Sequence, residues 1–272
     1  MMLKVRQFTL PKRGNSEDEY EDACSYSVEA CRAAIADGAT ESSFAEPWAR
    51  SLVERFVSGE EENSPIQEQL ELRCWLAPIQ KIWTENIPWK TLSWNAEEKA
   101  RLGAFAAFLG LQITQQDQTD SKGAAAAVPK DCEWSAVACG DSCLFHVRCG
   151  ELLRAFPISN SSKFGNNPTL LSSVSAANER AFTEVVRAHG ECHEGDLLLL
   201  ATDALSCWIL SECEAGRSPW RMITSLSGDG EFCAFVDHLR ELHEIKNDDV
   251  TLLIIELTGQ QFLSELPAEF MI

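Results

Sequence analysis

The chain has 272 residues, 42 of them acidic and 23 of them Lys or Arg, and a formal net charge of −19. This charge excludes nucleic acid as an expected partner, because binding a polyanion needs clustered Lys and Arg. No apolar run reaches the ~18 residues that cross a bilayer, and the N-terminal residues lack the apolar core of a signal peptide. We therefore expect a cytoplasmic protein with no membrane contact, in which the 11 cysteines are reduced.

The first part of the chain predicts an acidic loop followed by two strands. Residues 13–22 are rich in Asp and Glu and predict the loop. Residues 24–36 divide into two short apolar runs, and the second run leads directly into Asp37. A carboxylate at the end of an apolar strand is a candidate for binding a ligand or an ion.

Two helices are predicted next. Apolar residues at helical spacing predict a helix over 44–59, with Pro47 near its start and Gly59 near its end. The same pattern recurs over 64–83. A connection rich in Trp follows over 85–95.

A strand-rich section occupies the middle of the chain. The apolar run 103–114 fits a helix or a strand, because periodicity does not separate the two in short runs. The segment 115–130 is polar and then alanine-rich, which predicts a connection. Residues 133–158 contain three strand-like runs, separated by hairpin-type turn signals at Gly140-Asp141 and Cys149-Gly150.

The last part of the chain predicts a loop, two strands and three helices. Residues 159–173 are loop-like and contain the sequence FGNNP, which predicts a mobile loop. An apolar strand ends at Asp203, and a second strand is predicted over 247–257. The predicted helices are 205–216, 218–228 and 231–245.

Acidic residues recur where the predicted strands begin or end. They are Glu21-Asp22, Asp37-Gly38, Asp141, Asp203 and Asp248-Asp249. Taken singly, each is explained as a turn or cap residue, since Asp bonds nearby backbone amides. Together they suggest one shared rim, where close carboxylates repel unless a cation neutralises them. Hard divalent cations prefer such oxygen ligands, and the absence of His and Cys from the set argues against zinc.

The order of these motifs resembles that of the type 2C metal-dependent Ser/Thr protein phosphatases. The matching motifs are EDA, ADG, GDS, ATDA and DDVT, and the similarity covers about residues 10–257. The resemblance implies an α+β fold, a β-sandwich of two antiparallel sheets flanked by helices in four layers (α-β-β-α). By this resemblance, residues 103–114 form a strand that pairs with residues 133–139. It also predicts a single phosphatase-like domain over residues 1–272.

The resemblance also implies a metal centre with two Mg or Mn ions and a position that can take a third, weaker ion. Asp37 would bridge the two ions, and the carbonyl group of Gly38 would bind one of them. Asp203 and Asp248 would complete the second ion's shell. A hydroxide bridging the ions would then attack the phosphorus atom, because two cations acidify a shared water.

Three further residues receive roles from the resemblance. Asp22, with Glu21 as a further candidate, would hold metal-bound water, and Asp141 would bind the third ion together with Asp203. The catalytic set is therefore Asp37, Asp22 and a phosphate-binding arginine, for which Arg13 is the candidate.

The sequence departs from the family pattern at three places. Ala39–Glu41 replace the usual x-Gly-Gly that follows Asp-Gly, which removes a proposed leaving-group acid. Ala204 replaces the glycine after the second metal-binding Asp. Glu17 occupies the position of the usual phosphate-binding Arg, so Arg13 or Lys12 would have to fold back.

The leading hypothesis is a metal-dependent hydrolase that removes phosphate from phosphoserine and phosphothreonine in proteins, with a phosphoprotein substrate and a signalling role. The alternative is a catalytically impaired phosphatase-fold module that binds or regulates a partner. A hydrolase of small phosphoesters is a third possibility. The sequence leaves the oligomeric state open.

Overall fold

The computed structural model describes residues 2–59, 64–66, 69–115, 132–165 and 167–259. The strands are β1 (Met2–Leu10), β2 (Ala23–Ser27), β3 (Arg32–Gly38), β4 (Phe105–Gln115), β5 (Cys132–Cys139), β6 (Cys143–Arg148), β7 (Glu151–Phe156), β8 (Leu171–Ser172), β9 (Val186–Cys192), β10 (Leu197–Ala201) and β11 (Val250–Thr258). The helices are α1 (Ala45–Ser58), α2 (Gln69–Asn86), α3 (Trp94–Leu102), α4 (Glu179–Glu184), α5 (Asp203–Glu214), α6 (Trp220–Ser225) and α7 (Asp229–Glu241).

The strands form two antiparallel sheets. Sheet 1 has the order β1-β11-β10-β6-β7, and sheet 2 has the order β2-β3-β4-β5-β9, with β8 paired to β4. The predicted α+β class with two antiparallel sheets is confirmed. The assignment of residues 103–114 to a strand is also confirmed from Phe105 onward, and β4 pairs with β5 from Phe108↔Cys139 to Gln115↔Cys132. The predicted connection over 115–130 lies, apart from its first residue, outside the described residues.

Apolar side chains form three layers of core that hold the sheets and helices together. Ile35, Leu109 and Leu200 belong to the cluster between the two sheets. On the outer face of sheet 2, Trp48 belongs to the cluster that α1 and α2 complete. On the outer face of sheet 1, Trp208 belongs to the cluster formed with α5, α6 and α7. The sheets are therefore covered on both faces, which explains their nearly continuous apolar strands.

The helix signals predicted α1 well and the start of α2 less well. In α1 the side chains of Trp48, Leu52 and Phe56 recur every four residues and are all buried. Gly59 is the C-cap residue of this helix, as its position in the sequence predicted. The second helix begins at Gln69 rather than near residue 64. The carbonyl oxygen of Pro65 instead accepts a hydrogen bond from Arg187 Nε at 3.0 Å.

Three strands and two helices were missed by the sequence interpretation, and one of the strands, β8, lies in the segment interpreted as a loop. The strands β1 and β9 lie at sheet edges, and β1 pairs with β11 from Met2↔Thr258 to Leu10↔Val250. Both strands mix polar and apolar residues, because an edge strand has exposed positions, and such a pattern is weak evidence for a strand. The short helix α3 overlaps the segment interpreted as a Trp-rich connection, and the segment of α4 was not assigned to any element.

The turn signal at Gly140-Asp141 was wrongly interpreted as a hairpin. The strands before and after it, β5 and β6, belong to different sheets, so the chain crosses between the sheets at this point. Gly140 has φ +111°, and a Cβ atom there would lie 2.4 Å from the Cβ of Ala107. The second signal, Cys149-Gly150, does form a hairpin, because β6 pairs with β7.

Two expectations from composition concern membranes and disulfides. None of the helices within the described ranges is long and apolar enough to cross a membrane. All 11 cysteines are free thiols.

Gly38, at the end of β3, is required by close packing. A Cβ atom at this position would lie 2.5 Å from the carbonyl oxygen of Glu21 and 3.1 Å from the Cβ of Ala45. We expect Gly38→Ala to lower the free energy of unfolding by about 1–3 kcal/mol, because the backbone must shift to admit the methyl group. Urea unfolding measures the change.

The matched control for this prediction is Gly230→Ala. A Cβ atom at Gly230 meets open space, and alanine is preferred to glycine inside a helix such as α7. The control should therefore unfold at the same or a higher urea concentration than the parent. Equal stability of both variants would show that the chain does not need glycine at position 38.

Candidate active site

Four of the predicted aspartates meet in a cleft at one edge of the sandwich, whereas Asp22 is buried and is not among the lining residues. The cleft has a volume of about 340 Å³. It is bounded by the end of β3, the crossing between β5 and β6, the end of β10 and the turn before β11. Its acidic lining residues are Asp37, Glu41, Asp141, Asp203 and Asp248, and Lys246 also lines it.

The register of sheet 1 explains why distant residues become neighbours. Ala201, the last residue of β10, pairs with Cys143 of β6 and with Leu252 of β11. The residues just beyond these pairs, including Asp203 and Asp141, therefore lie at the same end of the sheet. Asp203 is also the first residue of α5, where the helix dipole favours a negative charge.

The strands of sheet 2 position two of the predicted aspartates, Asp22 and Asp37. Ala23 pairs with Ala36, so Asp22 and Asp37 lie opposite each other one step further along the two strands. Asp22 is only 3% exposed. Its Oδ2 accepts a hydrogen bond from the hydroxyl group of Thr251 at 2.7 Å. Burial raises the pKa of Asp22 well above its ordinary value, and the nearby charge of Asp249 raises it further.

The pKa of Asp37 shows how strongly the carboxylates interact. Burial raises it well above its ordinary value, and further increases come from the charges of four other aspartates. These are Asp22, Asp203, Asp141 and Asp248. Asp37 therefore lies within the electrostatic reach of every other aspartate predicted to bind metal.

Asp141 lies in the crossing between β5 and β6 and is 6% exposed. Burial, followed by the charge of Asp203, raises the pKa of Asp141 to about 7. Burial also raises the pKa of Asp203, whereas the ammonium group of Lys246 lowers it.

The two adjacent aspartates before β11 have different roles. Asp249 accepts backbone hydrogen bonds from Lys12 N at 2.7 Å and from Glu21 N at 2.8 Å, so it ties the acidic loop to β11. Asp248 lines the cleft. Its carbonyl oxygen accepts a hydrogen bond from the buried Arg240 at 2.7 Å, which fixes the backbone there.

No ready-made metal-binding group of three or more His, Cys, Asp or Glu side chains occurs in the part of the chain that the structure describes. The chemistry of the cleft nevertheless fits hard divalent cations. Its ionisable lining consists of carboxylates and one ammonium group, and carboxylate oxygens are the donors that such ions prefer. Asp37, Asp141, Asp203 and Asp248 have side chains at this surface and could hold an ion.

Solved structures resemble this fold, although neither a family model nor a curated protein matches the sequence. The photosystem II phosphatase PBCP is 14% identical, with a TM-score of 0.59 over 94% of this chain and 99% of its own. The serine/threonine phosphatase PstP from Mycobacterium tuberculosis is 15% identical, with a TM-score of 0.57 over 95% and 100%. Stp1 from Staphylococcus aureus is 13% identical, with a TM-score of 0.56 over 95% and 96%.

The chain has the fold of the PPM-type Ser/Thr phosphatases. The resemblance inferred from the motifs is thereby confirmed at the level of the fold, which is what identities this low establish. Another structure of the PstP catalytic domain, 15% identical with a TM-score of 0.55, is in complex with 2 manganese ions.

The structure does not bring Arg13 into the cleft of this PPM-type fold. The guanidinium group of Arg13 lies 3.3 Å from Asp237 and 3.6 Å from Glu241, both on α7. Lys12 and Glu17 line a neighbouring cavity of about 680 Å³. The predicted phosphate-binding role of Arg13 therefore gains no support from its position.

Some residues of the cleft were missed by the sequence interpretation. Lys246 lies two residues before Asp248, which had been singled out. Thr251, of the DDVT motif, does not line the cleft but positions the carboxylate of Asp22. Gly165 and Pro168, from the predicted loop over 159–173, also line the cleft.

The raised pKa of Asp141 predicts how the stability of the metal-free protein depends on pH. Its pKa is 3.8 ordinarily and about 7 in the folded protein, so between these values the folded state binds more protons than the unfolded state. Stability then falls as the pH rises across this interval. We expect Asp141→Asn to make that fall smaller, as measured by urea unfolding in EDTA.

The matched control is Asp229→Asn, which removes an exposed carboxylate at the start of α7. This variant should retain the pH slope of the parent. Parallel slopes for the parent and Asp141→Asn would contradict the prediction.

Proposed function

We propose that this chain is a divalent-cation-dependent phosphatase that hydrolyses phosphoserine and phosphothreonine esters in proteins. The observation that carries the proposal is that Asp37, Asp141, Asp203 and Asp248 line one cleft in a PPM-type fold. The manganese ions bound by PstP, a protein of the same fold, support Mn²⁺ or Mg²⁺ as the cation.

The proposed metal-binding residues are Asp22, Asp37, Gly38, Asp141, Asp203 and Asp248. When bound, the cations would supply an acidified water as the nucleophile and positive charge for the phosphoryl oxygens. The chain contributes the position of each carboxylate. Asp37 is central, because the other four aspartates all act on its charge, and Thr251 fixes the carboxylate of Asp22.

A cysteine nucleophile is the wrong chemistry for this site. Cys139 and Cys143, each two residues from Asp141, are buried, and burial raises the pKa of both thiols to about 12. A thiol phosphatase needs a thiolate and an arginine that binds phosphate. Arg148 instead places its guanidinium Nε 2.8 Å from Asp196.

A metal-dependent mechanism without a cysteine nucleophile predicts the result of thiol alkylation. Iodoacetamide should modify the exposed Cys74 and Cys149 and leave metal-dependent turnover largely intact, because no cysteine takes part in the reaction. The measurement is the rate of p-nitrophenyl phosphate hydrolysis before and after labelling, with mass spectrometry to locate the label. Loss of activity that follows labelling of one cysteine would contradict the metal mechanism.

A non-catalytic phosphatase-fold module is the second candidate function. It is favoured by the position of Arg13, which pairs with α7 rather than facing the cleft, and by the replacement of the usual glycines at Ala39–Glu41. Such a module would bind cations without turnover. A hydrolase of small phosphoesters is separated from the main proposal by its preference for p-nitrophenyl phosphate over a phosphopeptide.

We also propose that residues 1–272 act as one phosphatase domain in the cytoplasm, with a phosphoprotein as partner and without nucleic acid or membrane. The formal net charge of −19 supports the exclusion of nucleic acid.

The central test is Asp37→Asn. We expect it to lower manganese-dependent hydrolysis of a phosphopeptide by at least about 100-fold, because it removes a charge that holds the catalytic cations. Binding of Mn²⁺, followed by electron paramagnetic resonance of the free ion, should weaken in parallel. Asp229→Asn, which changes a carboxylate outside the cleft, is the control and should retain both properties.

The outcomes separate the candidates. Binding of Mn²⁺ that depends on Asp37, without turnover of any phosphoester, would favour the non-catalytic module. Turnover that is unchanged by Asp37→Asn would refute the assignment of the metal centre.

A further inference from the structure

Lys246 places its ammonium group among the carboxylates of the cleft. Its Nζ lies 3.3 Å from Oδ2 of Asp203 and 3.9 Å from Oδ2 of Asp248. Among the described residues that line the cleft, Lys246 is the only one with a positively charged side chain. It therefore supplies the local positive charge where negative charge is concentrated.

The position of this ammonium group coincides with a proposed cation position. Asp203 and Asp248 are the two residues to which the second divalent ion was assigned. A divalent ion that took oxygens from both carboxylates would meet the ammonium group of Lys246, and like charges at such distances repel. The ammonium group and the ion therefore compete for the same oxygens.

The side chain of Lys246 is able to move away. It is 57% exposed, whereas that of Asp203 is only 14% exposed. A lysine side chain is long and flexible and is readily solvated once released. Displacement therefore costs the ion pair and little else, so the competition weakens metal binding without preventing it.

We propose that Lys246 is a built-in competitor of the divalent cation at Asp203 and Asp248. Its ammonium group neutralises these carboxylates while the site lacks an ion, and it leaves when the ion binds. This inference rests on the proposed function, since it concerns the same metal centre. It makes the ion at Asp203 and Asp248 the weaker of the two, so that the second ion binds only at higher cation concentration.

The test is manganese binding to Lys246→Met, which keeps most of the length of the unbranched side chain and removes its charge. Free Mn²⁺ is followed by electron paramagnetic resonance, and the heat of binding by calorimetry. We expect the dissociation constant of the weaker step to fall by about two- to fivefold, the range for one ion pair of this exposure. The tighter step should stay unchanged.

Two controls accompany this variant. Lys246→Arg keeps the positive charge and should retain the parent's weaker step. Lys99→Met removes an exposed charge from α3 and should leave both binding steps unchanged. In EDTA, Lys246→Met should melt at a lower temperature than Lys99→Met, because only the former leaves Asp203 without its counterion.

The outcomes distinguish this inference from the proposed function. Manganese binding with the same two constants in the parent and in Lys246→Met would overturn the competition and leave the phosphatase proposal intact. A higher KM for p-nitrophenyl phosphate with unchanged manganese affinity would also overturn it, because Lys246 would then bind phosphate. No manganese binding by either protein would overturn both proposals.

Discussion

The mutual repulsion of buried carboxylates is the constraint on which the candidate site depends. Asp22, Asp37, Asp141 and Asp203 all have raised pKa values, and in each case burial is the first cause. Such a cluster of carboxylates destabilises the fold, since each charge loses hydration and gains a like-charged neighbour. The apolar core between and around the sheets must offset this cost in the free energy of folding. Such a cost is understandable where external cations complete the arrangement.

The two sheets are what make the cleft possible. The aspartates that line it come from distant parts of the chain. Asp37 belongs to β3 of sheet 2, Asp203 begins α5 just after β10 of sheet 1, and Asp141 lies in the crossing between the sheets. Since no short segment could assemble this group, the site exists only when both sheets have formed and stacked. Substitutions that loosen the core between the sheets should therefore affect the cleft as well as stability.

The sequence predicted those features that local chemistry specifies. Strands that end at Asp37 and Asp203 and the helix bounded by Pro47 and Gly59 follow from apolar spacing and turn residues. What it could not specify depends on tertiary context. The signals at Gly140-Asp141 and Cys149-Gly150 look alike, yet only the second makes a hairpin, because the choice depends on which sheet receives the next strand. Motif order, rather than periodicity, assigned 103–114 to a strand.

Side-chain partners were the least predictable feature. By sequence, Lys246 and Arg13 are equivalent charged residues near acidic neighbours. In the folded chain the former contacts Asp203 and the latter contacts Asp237. The difference depends on the direction of the backbone in the turn beside each strand, and residue type and spacing do not specify that direction.

The departures from the family's glycine pattern are structurally mild. None of Ala39, Thr40, Glu41 and Ala204, all within the described residues, has a positive φ, so a side chain is admitted without strain at these places. Ala204 lies in the first turn of α5, where alanine is a better helix residue than glycine. Ala39 retains a backbone hydrogen bond to Phe105 O at 2.9 Å. The residues that replace glycine therefore impose no backbone strain beside Asp37 and Asp203, so the altered motif is compatible with the proposed metal centre.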